Sequence, residues 1–147
     1  MYHIYQTEGW VLASINVGEA SRFLDIFTFD LGLIRAMAQS VRKINSKLRY
    51  GLQDYSFGKV SLVKGRDFWR IINVERLDDF NSIYKNKEVL QMVCRIFAVL
   101  KRLIRGEDRD GRIFEDINGA IRLIGDNGLS NSELRILEII LVFRILQ

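Results

Sequence analysis

An α+β fold is predicted for this chain, a small all-β unit followed by an α-helical one. Three observations predict it. Between Thr7 and Arg76, five short stretches alternate apolar and polar residues, with no helical spacing among them. After Arg76 the apolar residues recur three and four apart, the period of an amphipathic helix. The charge divides at the same place: residues 1–76 carry eleven basic and seven acidic side chains, and residues 77–147 carry eleven of each. Five strands so closely spaced suggest a small barrel or sandwich.

Thr7 to Val17 reads as the first strand, with Trp10, Leu12 and Ser14 on one face and Val11 and Ala13 on the other. Gly18-Glu19-Ala20 is a turn. Ser21 to Phe29 is the second strand, with Phe23, Asp25 and Phe27 in one phase and Leu24, Ile26 and Thr28 in the other. Asp30-Leu31-Gly32 is a tight connection in which Gly32 supplies a positive φ. In the third strand, Leu33 to Ala38, the residues Ile34, Ala36 and Ala38 are expected to face the core, and Arg35 shares the other face with Leu33 and Met37. A polar stretch from Gln39 to Gly51 follows. Then come two further strand-like runs, Tyr55 to Val63 and Phe68 to Arg76, joined by the hairpin signal Lys64-Gly65-Arg66-Asp67.

Asn86 to Arg105 carries Val89, Leu90, Val93, Ile96, Phe97, Leu100, Leu103 and Ile104, a wide helical stripe with Gly106 as its stop. Arg112 to Ile124 repeats the pattern, with Gly125 expected to end it. Ser130-Asn131-Ser132-Glu133 has capping-box spacing. The helix it opens, from Asn131 to about Leu146, is apolar nearly all round and is expected to be central in a helical cluster. The polar joint between Leu77 and Asn86 divides the chain into domains 1–78 and 79–147.

The bulk properties narrow the function. The single cysteine, Cys94, excludes an internal disulfide and reads as a small buried hydrophobe in a helix. No basic segment followed by an apolar core opens the chain, and the apolar run Ile139 to Phe143 is too short to cross a bilayer, so a soluble cytoplasmic protein without membrane contact is expected. His3 is the sole histidine, and it lies close to the terminus. Asp78-Asp79, Glu107-Asp108-Asp110 and Glu115-Asp116 read as solvated helix ends and loops. No phosphate-cradling glycine motif and no convergent set of titratable groups is present, so neither an enzyme, nor a cofactor, nor a metal site is expected.

The basic residues are clustered. From Arg35 to Arg70 there are nine cations and two acids, a local charge of +7 against +4 for the whole chain. A basic β surface with aromatics among the cations suits single-stranded nucleic acid, whose bases stack on rings while its phosphates attract Lys and Arg. Arg42, Lys43, Lys47 and Arg49 in the Gln39–Arg49 loop are the strongest candidates. Arg35 lies beside that loop, and Lys64, Arg66 and Arg70 lie on the last hairpin. Trp10, Phe23, Phe27 and Trp69 read as core, whereas Tyr55 and Phe57 suit either role.

Three ordered segments carry a family resemblance. They are Glu8-Gly9-Trp10-Val11-Leu12 with Gly18-Glu19-Ala20-Ser21-Arg22, then Ile26 to Lys43, then Ser46-Lys47-Leu48-Arg49, Leu52-Gln53 and Val60 to Arg66. Together they resemble the N-terminal oligonucleotide-binding (OB) barrel of the bacterial recombination mediator RecO. The resemblance implies a five-stranded OB barrel followed by an α-helical domain, and a non-enzymatic role. It implies binding of single- and double-stranded DNA, annealing of complementary strands, and work alongside RecR and SSB in loading the recombinase RecA during recombinational repair. Many members carry a cysteine zinc motif, which Cys94 and His3 cannot supply. The apolar last helix implies either a reduced helical domain or an apolar face covered by a second subunit or a further segment, with self-association through that helix as one outcome. Two other readings compete: an adaptor that docks SSB or RecR with little DNA binding, and a general single-strand or RNA binder.

Overall fold

The structure, a computed structural model, describes residues 3–39, 41–42, 48–77, 80–104, 106–107 and 109–147. It divides into two compact units, Met1–Leu77 with Gly106–Arg109, and Asp78–Arg105 with Asp110–Gln147.

The first unit is a closed barrel in the order β1-β2-β3-β5-β4, built from β1 (Ile4–Val17), β2 (Ser21–Thr28), β3 (Gly32–Ala38), β4 (Phe57–Lys64) and β5 (Trp69–Arg76). Closure depends on the length of β1. Its first half pairs with β4 from Ile4↔Val63 to Trp10↔Phe57, and its second half pairs with β2 from Gly9↔Thr28 to Val17↔Ser21. An irregularity between Val11 and Ala13 lets the strand bend from one partner to the other. The last seam is parallel, Ala36↔Trp69 and Met37↔Arg70. With every strand paired on both sides, no long edge is left open.

The interior follows the alternation in the sequence. Leu24, Ile26, Ile34, Ala36, Ala38, Val60, Leu62, Trp69 and Ile71 fill it, joined by Val41 and Leu52 from the β3–β4 connection. Trp10 lies opposite both Phe27 and Phe57 in register, and all three are at most 2% exposed, a second buried row out of phase with the interior. At the β2–β3 turn Gly32 takes φ +71°. There the Thr28 hydroxyl donates to the Gly32 carbonyl (2.8 Å) and accepts from the Leu31 N–H (2.9 Å). The fourth strand begins at Phe57 rather than Tyr55. Tyr55 is held at φ +65°, its N–H donating to the Val11 carbonyl at 2.8 Å, and the Ser56 hydroxyl donates to the Gln53 carbonyl at 2.6 Å. These bonds tie the connection onto the bend of β1 before pairing with β5 begins.

The second unit holds a short 3-10 helix, Asn81–Lys85, then α1 (Lys87–Leu103), α2 (Gly111–Asn127) and α3 (Asn131–Leu146). Asn86 caps α1 by accepting from the amides of Glu88 and Val89, and Asp110 caps α2 by accepting from the Ile113 amide. The capping box expected at Ser130 and Glu133 is present. The polar joint holds the 3-10 helix because Phe80 and Ile83 are buried there. Gly125 does not end α2. Gly128, at φ +58°, ends it, and its N–H donates to the Ile124 carbonyl. Gly125 has a packing role instead, since a Cβ there would lie 2.8 Å from Ser82 Oγ. Cys94 is half-buried on α1, because its position flanks the apolar stripe.

The last helix is not central. Leu134, Leu141 and Ile145 pack inward, while Ile136, Ile139, Ile140, Phe143 and Leu146 are exposed. Two neighbouring helices cover one side of it, so an all-round apolar sequence leaves the other side uncovered. Two exposed ion pairs join it to its neighbours: Arg95 with Glu138 (2.6 Å) and Arg144 with Asp116 (2.6 Å). The hydrogen bond from Arg95 to Glu138 holds the Arg95 guanidinium above its ordinary pKa, and Asp116 does the same for Arg144.

Candidate nucleic-acid interface

The outward phase of β2, β3 and β5 collects a row that the sequence holds far apart. Phe23 lies opposite Met37, Met37 opposite Arg70, and Asp25 opposite Arg35. Residues directly opposite in neighbouring strands point to the same face, so these five side chains share one surface. Phe68, from the β4–β5 turn, meets Phe23 edge-to-face with centroids 4.9 Å apart. The Arg35 guanidinium stands 5.4 Å from the Phe23 centroid, with its Nε 3.9 Å from Asp25 Oδ1. More than half of the Arg35 side chain is exposed, so the Asp25 contact orients it weakly, contributing about 0–1 kcal/mol. The result is an apolar platform edged by two guanidinium groups. In OB folds generally, this β2–β3 face and the β1–β2 and β4–β5 loops meet nucleic acid.

The remaining described candidates have different settings. Arg66 is exposed in the β4–β5 turn, which closes through the Gly65 N–H donating to the Phe68 carbonyl at 3.1 Å. Lys64, at the end of β4, lies opposite Trp69 and stands 5.6 Å from the indole centroid. Arg42 has a different setting from the exposed arginines. Its N–H donates to the Ala20 carbonyl (2.9 Å) and its guanidinium to the Gly18 carbonyl, while its buried Nε finds no acceptor among the described residues. It ties the start of the β3–β4 connection to the β1–β2 turn. Arg49 is exposed beside Tyr50, whose ring lies under the Arg76 guanidinium at 4.5 Å. Lys43 and Lys47 lie outside the described residues.

Of the four aromatics expected in the core, Trp10, Phe27 and Trp69 are buried. Phe23 is the exception, half-buried on the outer face. Its phase with Asp25, opposite to Leu24 and Ile26, carried the signal. The partnership with Phe68 could not be read from the sequence, because it depends on the β4–β5 turn folding back over β2. Among the described residues, no group of three or more His, Cys, Asp or Glu side chains is placed to hold a metal ion. The lone half-buried Cys94 does not fit a cysteine zinc site. No described helix is long and apolar enough to cross a membrane.

The family described as "Recombination protein O N terminal" matches residues 1–80. A protein named DNA repair protein RecO from Rubrobacter xylanophilus is 31% identical over 132 residues, covering 88% of this chain and 53% of that protein. One of the same name from Dehalococcoides mccartyi is 32% identical over 113 residues, 77% of this chain and 45% of the relative. Another, from Acetivibrio thermocellus, is 26% identical over 140 residues, 95% and 54% respectively. The chain thus spans about half the length of the curated relatives it matches.

Proposed function

Because the chain belongs to the recombination protein O (RecO) family, whose N-terminal pattern spans its residues 1–80, we propose that it binds single- and double-stranded DNA and anneals complementary strands in recombinational DNA repair. The observation that carries this reading is the platform of Phe23 and Phe68 bordered by Arg35 and Arg70 on the outer face of a closed barrel. Unpaired bases offer a π-face to the rings, and phosphates on either side reach the guanidinium groups and Arg66. Such contacts tolerate any base sequence, which annealing requires. The cationic connection between β3 and β4 then screens the repulsion of a second strand.

The role is one of binding and strand pairing rather than covalent chemistry, in the cytoplasm, with no cofactor. Partners of the RecR and SSB kind dock on the helical unit, and the exposed Ile136, Ile139, Ile140 and Phe143 favour an apolar protein contact there, self-association included. The test is the salt dependence of oligonucleotide binding. Changing Arg35 and Arg70 together to Ala is expected to weaken binding of all sequences and to flatten the log–log salt slope by roughly 0.7 for each phosphate no longer neutralised. An unchanged slope would remove the β2–β3 face from the interface and favour the adaptor reading.

A further inference from the structure

Trp69 closes one end of the barrel interior and is only 3% exposed, with Tyr5 set edge-on against it at 5.1 Å. Its one polar side-chain atom, Nε1, donates to Glu107 Oε1 at 2.7 Å. The other carboxylate oxygen of Glu107 stands 3.9 Å from Lys64 Nζ. Glu107 comes from a segment distant in sequence, Gly106–Arg109, which groups with the barrel, and Arg109 sets its guanidinium 4.9 Å from the Phe29 ring. A buried indole N–H requires an acceptor. Here that acceptor is an anion rather than a backbone carbonyl, and an ammonium group attends the same anion.

We infer that Lys64 Nζ and Trp69 Nε1 form a phosphate subsite at the edge of the DNA interface, and that the Glu107 carboxylate holds this subsite until a backbone phosphate displaces it. The inference rests on the reading of the β2–β3 face as that interface. Lys64 and Trp69 form the last register pair before the β4–β5 turn, in the phase opposite to Arg70, and that turn carries Arg66 and the platform's Phe68, so the subsite lies at the turn end of the interface. A phosphate oxygen accepts from Nε1 as a carboxylate oxygen does, so the exchange leaves the indole N–H paired and replaces one anion by another. The Lys64 and Glu107 side chains are 61% and 47% exposed, which makes their contact weak and readily exchanged. Glu107 therefore lowers the affinity of the free protein for DNA by occupying the position that a phosphate would take.

The test uses the whole chain and a single-stranded oligonucleotide. Glu107→Ala is expected to bind about 3–10-fold tighter than the parent, with a steeper salt dependence, because Lys64 no longer has an internal counter-ion. Adding Lys64→Ala is expected to abolish that gain. Glu107→Gln keeps an acceptor for Trp69 and removes only the charge, so it decides the matter if the alanine variant melts early: tighter binding supports the subsite, and parental binding overturns it. If Arg35→Ala with Arg70→Ala weakens binding while neither Glu107 variant strengthens it, the subsite fails and the interface stands. If neither change alters binding, the interface reading fails, and the subsite with it.

Discussion

Replacing Phe23 separates a stacking platform from a structural aromatic. The ring is half-buried, edge-on to Phe68 at 4.9 Å and beneath Arg35 at 5.4 Å. Truncating a fully buried Phe to Ala destabilises by roughly 3–5 kcal/mol, and about half that area is at stake here, so Phe23→Ala is expected to lower stability by about 1–2 kcal/mol. Phe23→Leu retains most of the apolar volume and limits the destabilisation to about 1 kcal/mol. Both variants remove the π-face. Stacking on one base contributes about 1–3 kcal/mol, so oligonucleotide affinity should fall roughly 5- to 150-fold. The salt slope should stay at the parental value, since every phosphate keeps its cation. Fluorescence anisotropy with a labelled single strand measures the binding, and a thermal melt of the same sample measures the fold. A Leu variant with a near-parental melt and parental affinity would refute the platform, leaving Phe23 as packing for Phe68.

Other consequences are open to the same kind of check. Arg42→Ala should reduce stability by about 1–3 kcal/mol in a denaturant melt, more than an exposed arginine would, because its guanidinium ties the β1–β2 turn to the next connection. A melt equal to that of Arg49→Ala would show that this tie is dispensable. Gly125→Ala should change stability by less than about 1 kcal/mol, because the gain in helix propensity is offset by turning the exposed Ser82 hydroxyl away from a Cβ that would lie 2.8 Å from it. Adding Ser82→Ala should release that gain, and a double variant no more stable than the single one would contradict the contact. Trp10→Ala should cost about 3–5 kcal/mol in a denaturant melt, as the residue is fully buried between Phe27 and Phe57 in register.

The fold was legible where local chemistry decides it. Alternation placed Ile34, Ala36 and Ala38 inward, the Gly32 turn needed its positive φ, and Ser130 with Glu133 announced the start of the last helix. The candidate interface was legible in part. Clustered charge pointed to Arg35, Arg66 and Arg70, but charge alone does not separate Arg42, engaged with backbone carbonyls, from arginines free to meet a phosphate. Phe23 and Phe68 meet only after the barrel closes, and Glu107 reaches Trp69 across 38 positions of sequence. Pairings of that kind leave no periodic trace. The last helix shows the opposite limit: its sequence is apolar on every side, and only the number of packing neighbours determines which side stays bare.

The most direct test of the central claim is the rate at which two complementary oligonucleotides anneal across a salt series, with parental protein and with a variant carrying Phe23→Leu, Arg35→Ala and Arg70→Ala. Acceleration by the parent that declines as salt rises, and that disappears in a variant with a retained melting transition, is the predicted result. Equal acceleration by both proteins would contradict it, and would place any strand pairing away from the β2–β3 face.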